Sequence, residues 1–402
     1  MARFNLFFVF IYLASLFGAA ANILVPADAN AMGYGSTKSF MYFWSALYMC
    51  TFILLFRLKP IKFTNKELIV IFLAFYTVLS TLWSELPKQT FSYSVALTAN
   101  FIFIFYMSRT FNLSEMLKLL MYVMNFLMLT GLIAGFSGYE GTIFYDPLQR
   151  SNFLGTALIK GFFSHKIYAG IYASLALILN LALLKGRLKF FWVAISLLSI
   201  LVSGSATGLL IGVSLCTLFF YIKYLTLLNF SKSTVRLINI LVFFTIIFIA
   251  NALPIIFNLV GRESNLTGRT ELWGWAIQFI LEKPFFGWGY LGIFSDAFNA
   301  PSHVIDMGYY NAPHFHNVYL QALAELGLIG GGIFIYIYVV TLYRYFIQWL
   351  ADSDIRYLVI FVCLFGTLIS GFVVNVGLKY NDITLFLLGY FFLLSPKVKS
   401  EK

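Results

Sequence analysis

Long apolar runs separated by short polar breaks dominate the chain. A helix needs roughly 20 mostly apolar residues to cross the hydrocarbon core of a bilayer, and about twelve segments meet that criterion. They lie near 4–25, 39–58, 67–83, 91–108, 115–136, 166–184, 188–203, 206–225, 235–258, 318–346, 355–374 and 381–395. The third, seventh and last are short. The first ends near Gly18-Ala19-Ala20-Ala21, a small-residue run of the kind that signal peptidases cut. It is read as a retained span, because removing it leaves an odd number of crossings and spoils the charge pattern described below. The expected fold is all-α and integral to the membrane, as a single polytopic domain over 1–402 with no evident internal repeat, linker or low-complexity tract.

Two polar breaks are long, 137–165 and 259–317. Within the second, Glu271 to Ile280 carries Leu272, Trp273, Trp275, Ala276, Phe279 and Ile280, a spacing suited to an interfacial helix. Thr270 is placed to cap its start. Pro284 with Gly287, Gly289 and Gly292 should stop it and turn the chain.

Composition agrees with this reading. The 402 residues are 61% hydrophobic and only 11% charged, and the mean hydropathy is +0.87, outside the range of a soluble globular domain. Charge supplies the orientation. With the N-terminus inside, 18 of the 27 basic residues and 5 of the 16 acidic ones fall on the cytoplasmic side, leaving 9 basic and 11 acidic outside. The net charge of +11 is thus a positive-inside topology signal, with no nucleic-acid partner implied. Both termini are expected in the cytoplasm and both long breaks on the outer face. Cys50, Cys216 and Cys363 fall within expected spans, without metal-ligand spacing, and read as small buried hydrophobes.

Several motifs resemble the O-antigen ligase and polymerase family. Gly268-Arg269 is followed by Trp273, then by Glu282-Lys283-Pro284-Phe285-Phe286-Gly287-Trp288-Gly289. Next come His316-Asn317-x-x-Leu320-Gln321-x-Leu323-x-Glu325-Leu326-Gly327-Leu328-Ile329-Gly330. Upstream, Leu79-Ser80-x-x-Trp83-Ser84 and Gly161-Phe162-Phe163-Ser164-His165-Lys166-x-x-x-Gly170 resemble its exopolysaccharide-polymerase branch. The resemblance implies a GT-C-like membrane glycosyltransferase with a large extracytoplasmic catalytic loop, 259–317, between the ninth and tenth spans. Such enzymes move a glycan from undecaprenyl diphosphate to a saccharide acceptor, either another lipid-linked repeat unit or the lipid A core. They work on the outer face of the bacterial inner membrane, without a metal or other cofactor, and a chain-length regulator or flippase is a possible partner.

The chemistry suits these residues. Attack on an anomeric carbon needs a base beside the acceptor hydroxyl, and a diphosphate leaving group needs positive charge. His316 matches the family's loop histidine and Arg269 its loop arginine, whose guanidinium can grip phosphate oxygens with two bonds. Plainer readings compete: His316-Asn317 could cap the following helix, and Arg269 could form a solvated pair with Glu271 or Glu263. His314 could assist His316 or bind acceptor sugar. Arg262 adds positive potential or is a solvated loop residue. Trp273 and its neighbours Trp275, Trp288 and Tyr290 read as interface anchors first and sugar-stacking platforms second. A metal held by His303, His314 and His316 is conceivable by ligand type, but the spacing is not diagnostic.

His165 and Lys166 stand on the same face as Arg269, with Lys166 otherwise a snorkelling anchor. Two positions depart from the family pattern. Ile167 stands where Asn is common, and Ala206 replaces a basic residue in Ser203-Gly204-Ser205-Ala206-Thr207-Gly208. Ser205, Thr207 and the backbone N–H groups there could still meet phosphate, with Lys166, Arg150 or Lys160 supplying charge. The competing function class is a lipid-linked glycan flippase or other transporter. Against it, the connection Lys185-Gly186-Arg187-Leu188-Lys189 is short, the large loops lie outside, and Glu325 is the one clear intramembrane acid. Within the enzyme class, Trp83-Ser84 and Ser164-His165-Lys166 favour polymerase over ligase.

Overall fold

The computed structural model describes residues 2–25, 37–55, 63–146, 151–227, 269–294, 314–374 and 378–396. Among these residues the chain is built of helices: α1 Ala2–Leu16, α2 Ala19–Leu24, α3 Lys38–Leu55, α4 Asn65–Leu79, α5 Pro87–Thr110, α6 Leu113–Phe136, α7 Lys166–Leu183, α8 Gly186–Ser203, α9 Ala206–Leu227, α10 Arg269–Glu282, α11 Val318–Asp352, α12 Ile355–Gly371 and α13 Ile383–Leu394. Seven are long and apolar enough to cross a membrane, counting α4 with its 3-10 extension to Leu82, and Leu6–Leu16, α12 and α13 are shorter apolar helices. The chain is a multi-pass membrane protein. The expected span at 235–258 lies outside the described residues, as do Arg262, Arg150 and His303.

Local chemistry explains the helix ends. Thr64 and Asn112 form capping boxes with Glu67 and Glu115 at the starts of α4 and α5's successor α6, each side chain satisfying an N–H that the helix leaves without an acceptor. The span expected as one helix over 4–25 is instead two. Gly18 takes a left-handed φ of 107°, where a side chain is strained, and α2 begins after it. Asn22 on α2 then donates to the carbonyl of Phe163 at 2.8 Å.

Helix α7 is the central strut, buried from Ala169 through Asn180 and packed on α6, α8, α9 and α12. Gly170 and Gly208 let α7 and α9 approach until a Cβ at Gly170 would sit 2.9 Å from the Gly208 backbone. Membrane helices associate through such small-residue contacts, since lipid offers no hydrophobic gain on pairing. Ser174 Oγ ties the crossing together, donating to the Gly170 carbonyl at 2.8 Å and shared with that of Gly208 at 3.0 Å. Deeper in, Asn125 and Asn180 exchange amide hydrogen bonds of 2.9 Å, and Asn180 also reaches Ser196.

The helix ends sort into two groups. At one end Arg109 pairs with Glu67 at 2.6 Å, Lys66 Nζ donates to Ser395 Oγ at 2.9 Å, and Arg344 donates to the same hydroxyl at 3.2 Å. These are residues that the charge pattern puts on the cytoplasmic side. The other end gathers 80–90, 138–146, 151–165, 203–208, 284–294 and 314–321. A short antiparallel ribbon, β1 Ile143–Phe144 with β2 Leu158–Ile159, carries the first polar break across it. Cys363 is buried as expected, whereas Cys216 is half-buried and Cys50 is exposed, on a helix face with no neighbour to cover it among the described residues.

Candidate active site

The site is framed by a broken helix. Within α11, Gly327 has φ 62° and ψ −167°, a conformation essentially restricted to glycine. The turn after α10 docks into the break. Trp288 and Gly289 donate their backbone N–H groups to the carbonyls of Ala324 (3.0 Å) and Glu325 (2.8 Å), while Leu328 and Ile329 donate to those of Pro284 (2.8 Å) and Phe285 (3.3 Å). These four bonds give backbone groups around the kink partners from the docked turn, which is how irregular backbone is tolerated inside a membrane protein. The two downstream motifs are two halves of one interlock.

The upstream motif completes it. Tyr76 OH contacts the carbonyls of Phe286 and Leu326 at 3.2 Å each, and Ser80 Oγ accepts the N–H of Tyr290 at 3.0 Å. Trp83 packs edge-on to Phe286, and a Cβ at Gly289 would lie 2.6 Å from that of Ser84. Gln89 Nε2 donates to the carbonyls of Leu291 and Phe294, both at 2.7 Å. Trp288 and Tyr290, expected as interface anchors, are buried packing residues here. The indole N–H of Trp288 goes to the Phe279 carbonyl (2.9 Å) and the Tyr290 hydroxyl to that of Leu378 (2.8 Å).

On this frame sits the turn His314-Phe315-His316-Asn317. Phe315 is fully buried beside Phe279 and Trp288. Asn317 caps α11, accepting the N–H groups of Tyr319 (3.0 Å) and Leu320 (3.1 Å). The cap expected from His316-Asn317 is therefore made by the asparagine. His316 itself has a left-handed φ of 53°, costly for a non-glycine residue and most often met where function holds the backbone in place. The imidazoles of His314 and His316 lie 4.2 Å apart, edge to face, both half-buried.

The two rings are not equivalent. His314 Nδ1 accepts the N–H of His316 at 3.1 Å, so a neutral His314 carries its proton on Nε2. His165 is committed in the same way, its Nδ1 accepting the N–H of Ile167 at 3.1 Å at the start of α7. Burial first, then the charges of Lys166, Lys160 and His316, pushes the His165 pKa down to about 3, with Asp146 opposing. His165 and His316 thus lie within electrostatic reach of each other.

Lys166 is buried and ion-paired with Asp146, with its ammonium 5.0 Å from the Phe144 ring centre. Buried and paired with Asp146, it is not a snorkelling anchor. Lys160 is 5% exposed and donates to Asn22 Oδ1 at 2.6 Å; burial brings its pKa down to about 8. Ser205 is buried, accepting the Gly208 N–H at 3.0 Å as the cap of α9, and Thr207 is half-buried beside it. The first N–H groups of α9 have no intrahelical acceptor by geometry.

Arg269 opens α10, so Thr270 is its second residue rather than the cap. Trp273, one turn on, has a buried indole N–H without an acceptor among the described residues. No cluster of three metal-ligating side chains occurs among the described residues. Asp146, Asp382 and Tyr76 were not singled out from the sequence, and Gln321 was quoted in a motif without a role. Asp382 caps α13 through the Thr384 N–H at 2.6 Å and acts electrostatically on Tyr168 and Tyr172. Only Gln321 left a legible signal, its spacing to Glu325 on one helix face.

Comparison with known proteins covers this same region. Residues 191–335 match the family model described as O-Antigen ligase, a stretch that holds Ser205, Arg269, His316 and the broken helix. Over 337 residues the chain is 24% identical to the exopolysaccharide production protein ExoQ of Rhizobium meliloti (strain 1021), covering 78% of this chain and 72% of that protein. With its membrane-helical framework, the chain is similar over these regions to proteins of an O-antigen ligase/polymerase-like kind.

Proposed function

We propose that the chain polymerises lipid-linked repeat units on the extracytoplasmic face of a bacterial inner membrane, moving a glycan from undecaprenyl diphosphate to the saccharide of a second unit. His316 takes the proton of the acceptor hydroxyl as its oxygen attacks the anomeric carbon. The bond from that carbon to the diphosphate oxygen breaks, and undecaprenyl diphosphate leaves against Arg269. The observation that carries this reading is the asymmetry of the two histidines. His314 commits Nδ1 to the His316 backbone, while His316 holds a left-handed φ of 53° in the turn whose asparagine, Asn317, caps α11. His165, held neutral, can donate from Nε2 to a sugar or phosphate oxygen.

Trp83-Ser84 and Ser164-His165-Lys166, together with likeness to an exopolysaccharide production protein, favour polymerase. The match to a family described as O-Antigen ligase favours the second reading, a ligase that joins finished glycan to lipid A core. A deletion strain separates them: single repeats accumulate on the carrier if the chain polymerises, full-length polymer if it ligates. Transfer from purified lipid-linked donor tests the role of Arg269. A bidentate grip predicts a small residual rate for Arg269→Lys and almost none for Arg269→Ala. A solvated loop pair is worth at most about 1 kcal/mol, and a near-normal rate for Arg269→Ala would reject the diphosphate contact.

A further inference from the structure

We infer that Gln321 and Glu325 form a positioning relay for the catalytic turn, an inference that rests on the assignment of His316 as the base. Glu325 is 1% exposed, and among the described residues no basic side chain pairs with it. Its Oε1 accepts from Gln321 Nε2 at 2.5 Å, one turn back on the same helix face. Gln321 Oε1 in turn accepts the backbone N–H of Phe315 at 2.9 Å, the peptide between the two histidines. The backbone N–H of Leu291, in the turn docked against α11, also faces the Glu325 carboxylate.

The chemistry gives the relay a direction. The Gln321 amide presents its NH2 group to the Glu325 carboxyl and its oxygen to the Phe315 N–H, so each end of the amide is matched to its partner. The N–H of Phe315, buried and outside the helix ladder, would otherwise stand without an acceptor. One buried acid thus fixes an amide, the amide fixes a peptide, and that peptide holds His316 at its left-handed φ of 53°. Because Leu291 shares the same carboxylate, the orientation of the histidine turn is set against the Pro284–Gly289 interlock. Gln321 and Glu325 touch no reacting atom and act through the backbone of the turn.

Steady-state kinetics with purified lipid-linked donor, with thermal unfolding of each variant in the same detergent, tests the relay. Gln321→Leu removes both bonds, and Gln321→Glu sets two carboxylates face to face. Each should lower kcat about 100-fold, the scale of an ångström-sized misplacement of a catalytic group, with donor KM within about threefold of wild type. The swap Gln321→Glu with Glu325→Gln conserves volume and restores one donor between two acceptors, so it should recover kcat to within about tenfold of wild type. Two results would overturn the relay: kcat within about threefold of wild type in both single variants while His316→Ala is inactive, or a folded swap no faster than Gln321→Glu alone. Lower melting temperatures with kcat per folded molecule unchanged would likewise reduce the pair to packing. Full activity of His316→Ala would remove the assignment beneath the relay, and the relay with it.

Discussion

Three histidines at one end of the bundle are held in different ways, and the differences decide what each can do. His165 and His314 both spend Nδ1 on a backbone N–H, whereas the cap beside His316 is made by Asn317. The sequence put His316 ahead of His314 and His165 only through the family resemblance; the single hydrogen bonds of loop backbone that hold the rings differently left no sequence signal. Lys166 shows the same limit: its partner Asp146 lies across the β1–β2 ribbon, beyond any local spacing rule. His165 carries a pH prediction. Its folded pKa of about 3 lies below the ordinary value of about 6.5, so the unfolded chain binds the extra proton. Its contribution to stability is complete above about pH 6.5 and is lost as pH falls toward 3. His165→Asn keeps a capping side chain and removes the titration, so its melting temperature in detergent should fall less steeply than wild type from pH 6.5 to 4.5. Parallel curves would show that His165 is not buried in its neutral form.

At the scale of elements, hydropathy located most helices and missed how they break. Gly18 sits in an apolar run where nothing but its φ marks the bend. Gly327 likewise lies inside one long apolar segment, and a hydropathy window averages across it. The motifs Glu282–Gly289 and His316–Gly330 were legible as separate signals. That they interlock was not, since pairing between backbone groups leaves no trace in side-chain pattern. The kink predicts a sharp sensitivity. A Cβ at Gly327 would collide with the Phe285 carbonyl, and one at Gly287 with that of Glu325. Gly327→Ala should therefore destabilise the protein by about 2 kcal/mol or more, whereas Gly332→Ala, with open space around it, should not. Comparing their unfolding midpoints in detergent checks this; equal midpoints would mean that the break in α11 is not part of the folded protein.

For the whole molecule, charge and apolar length predicted the arrangement that the helix ends follow, with basic residues Lys66, Arg109 and Arg344 clustered at the end away from the histidines. Which end faces the cytoplasm is a prediction of the charge split. With Cys50, Cys216 and Cys363 replaced, a cysteine at Ser302 should react with a membrane-impermeant thiol reagent in intact spheroplasts and one at Lys189 should not. The reverse labelling would turn the site inward, where no lipid-linked repeat is waiting. The most direct test of the account is transfer itself: purified wild type and His316→Ala, matched for folded protein in nanodiscs and supplied with an undecaprenyl-diphosphate-linked repeat unit. Wild type should lengthen the glycan and release undecaprenyl diphosphate while His316→Ala does neither; equal product from the two proteins would rule out His316 as the base.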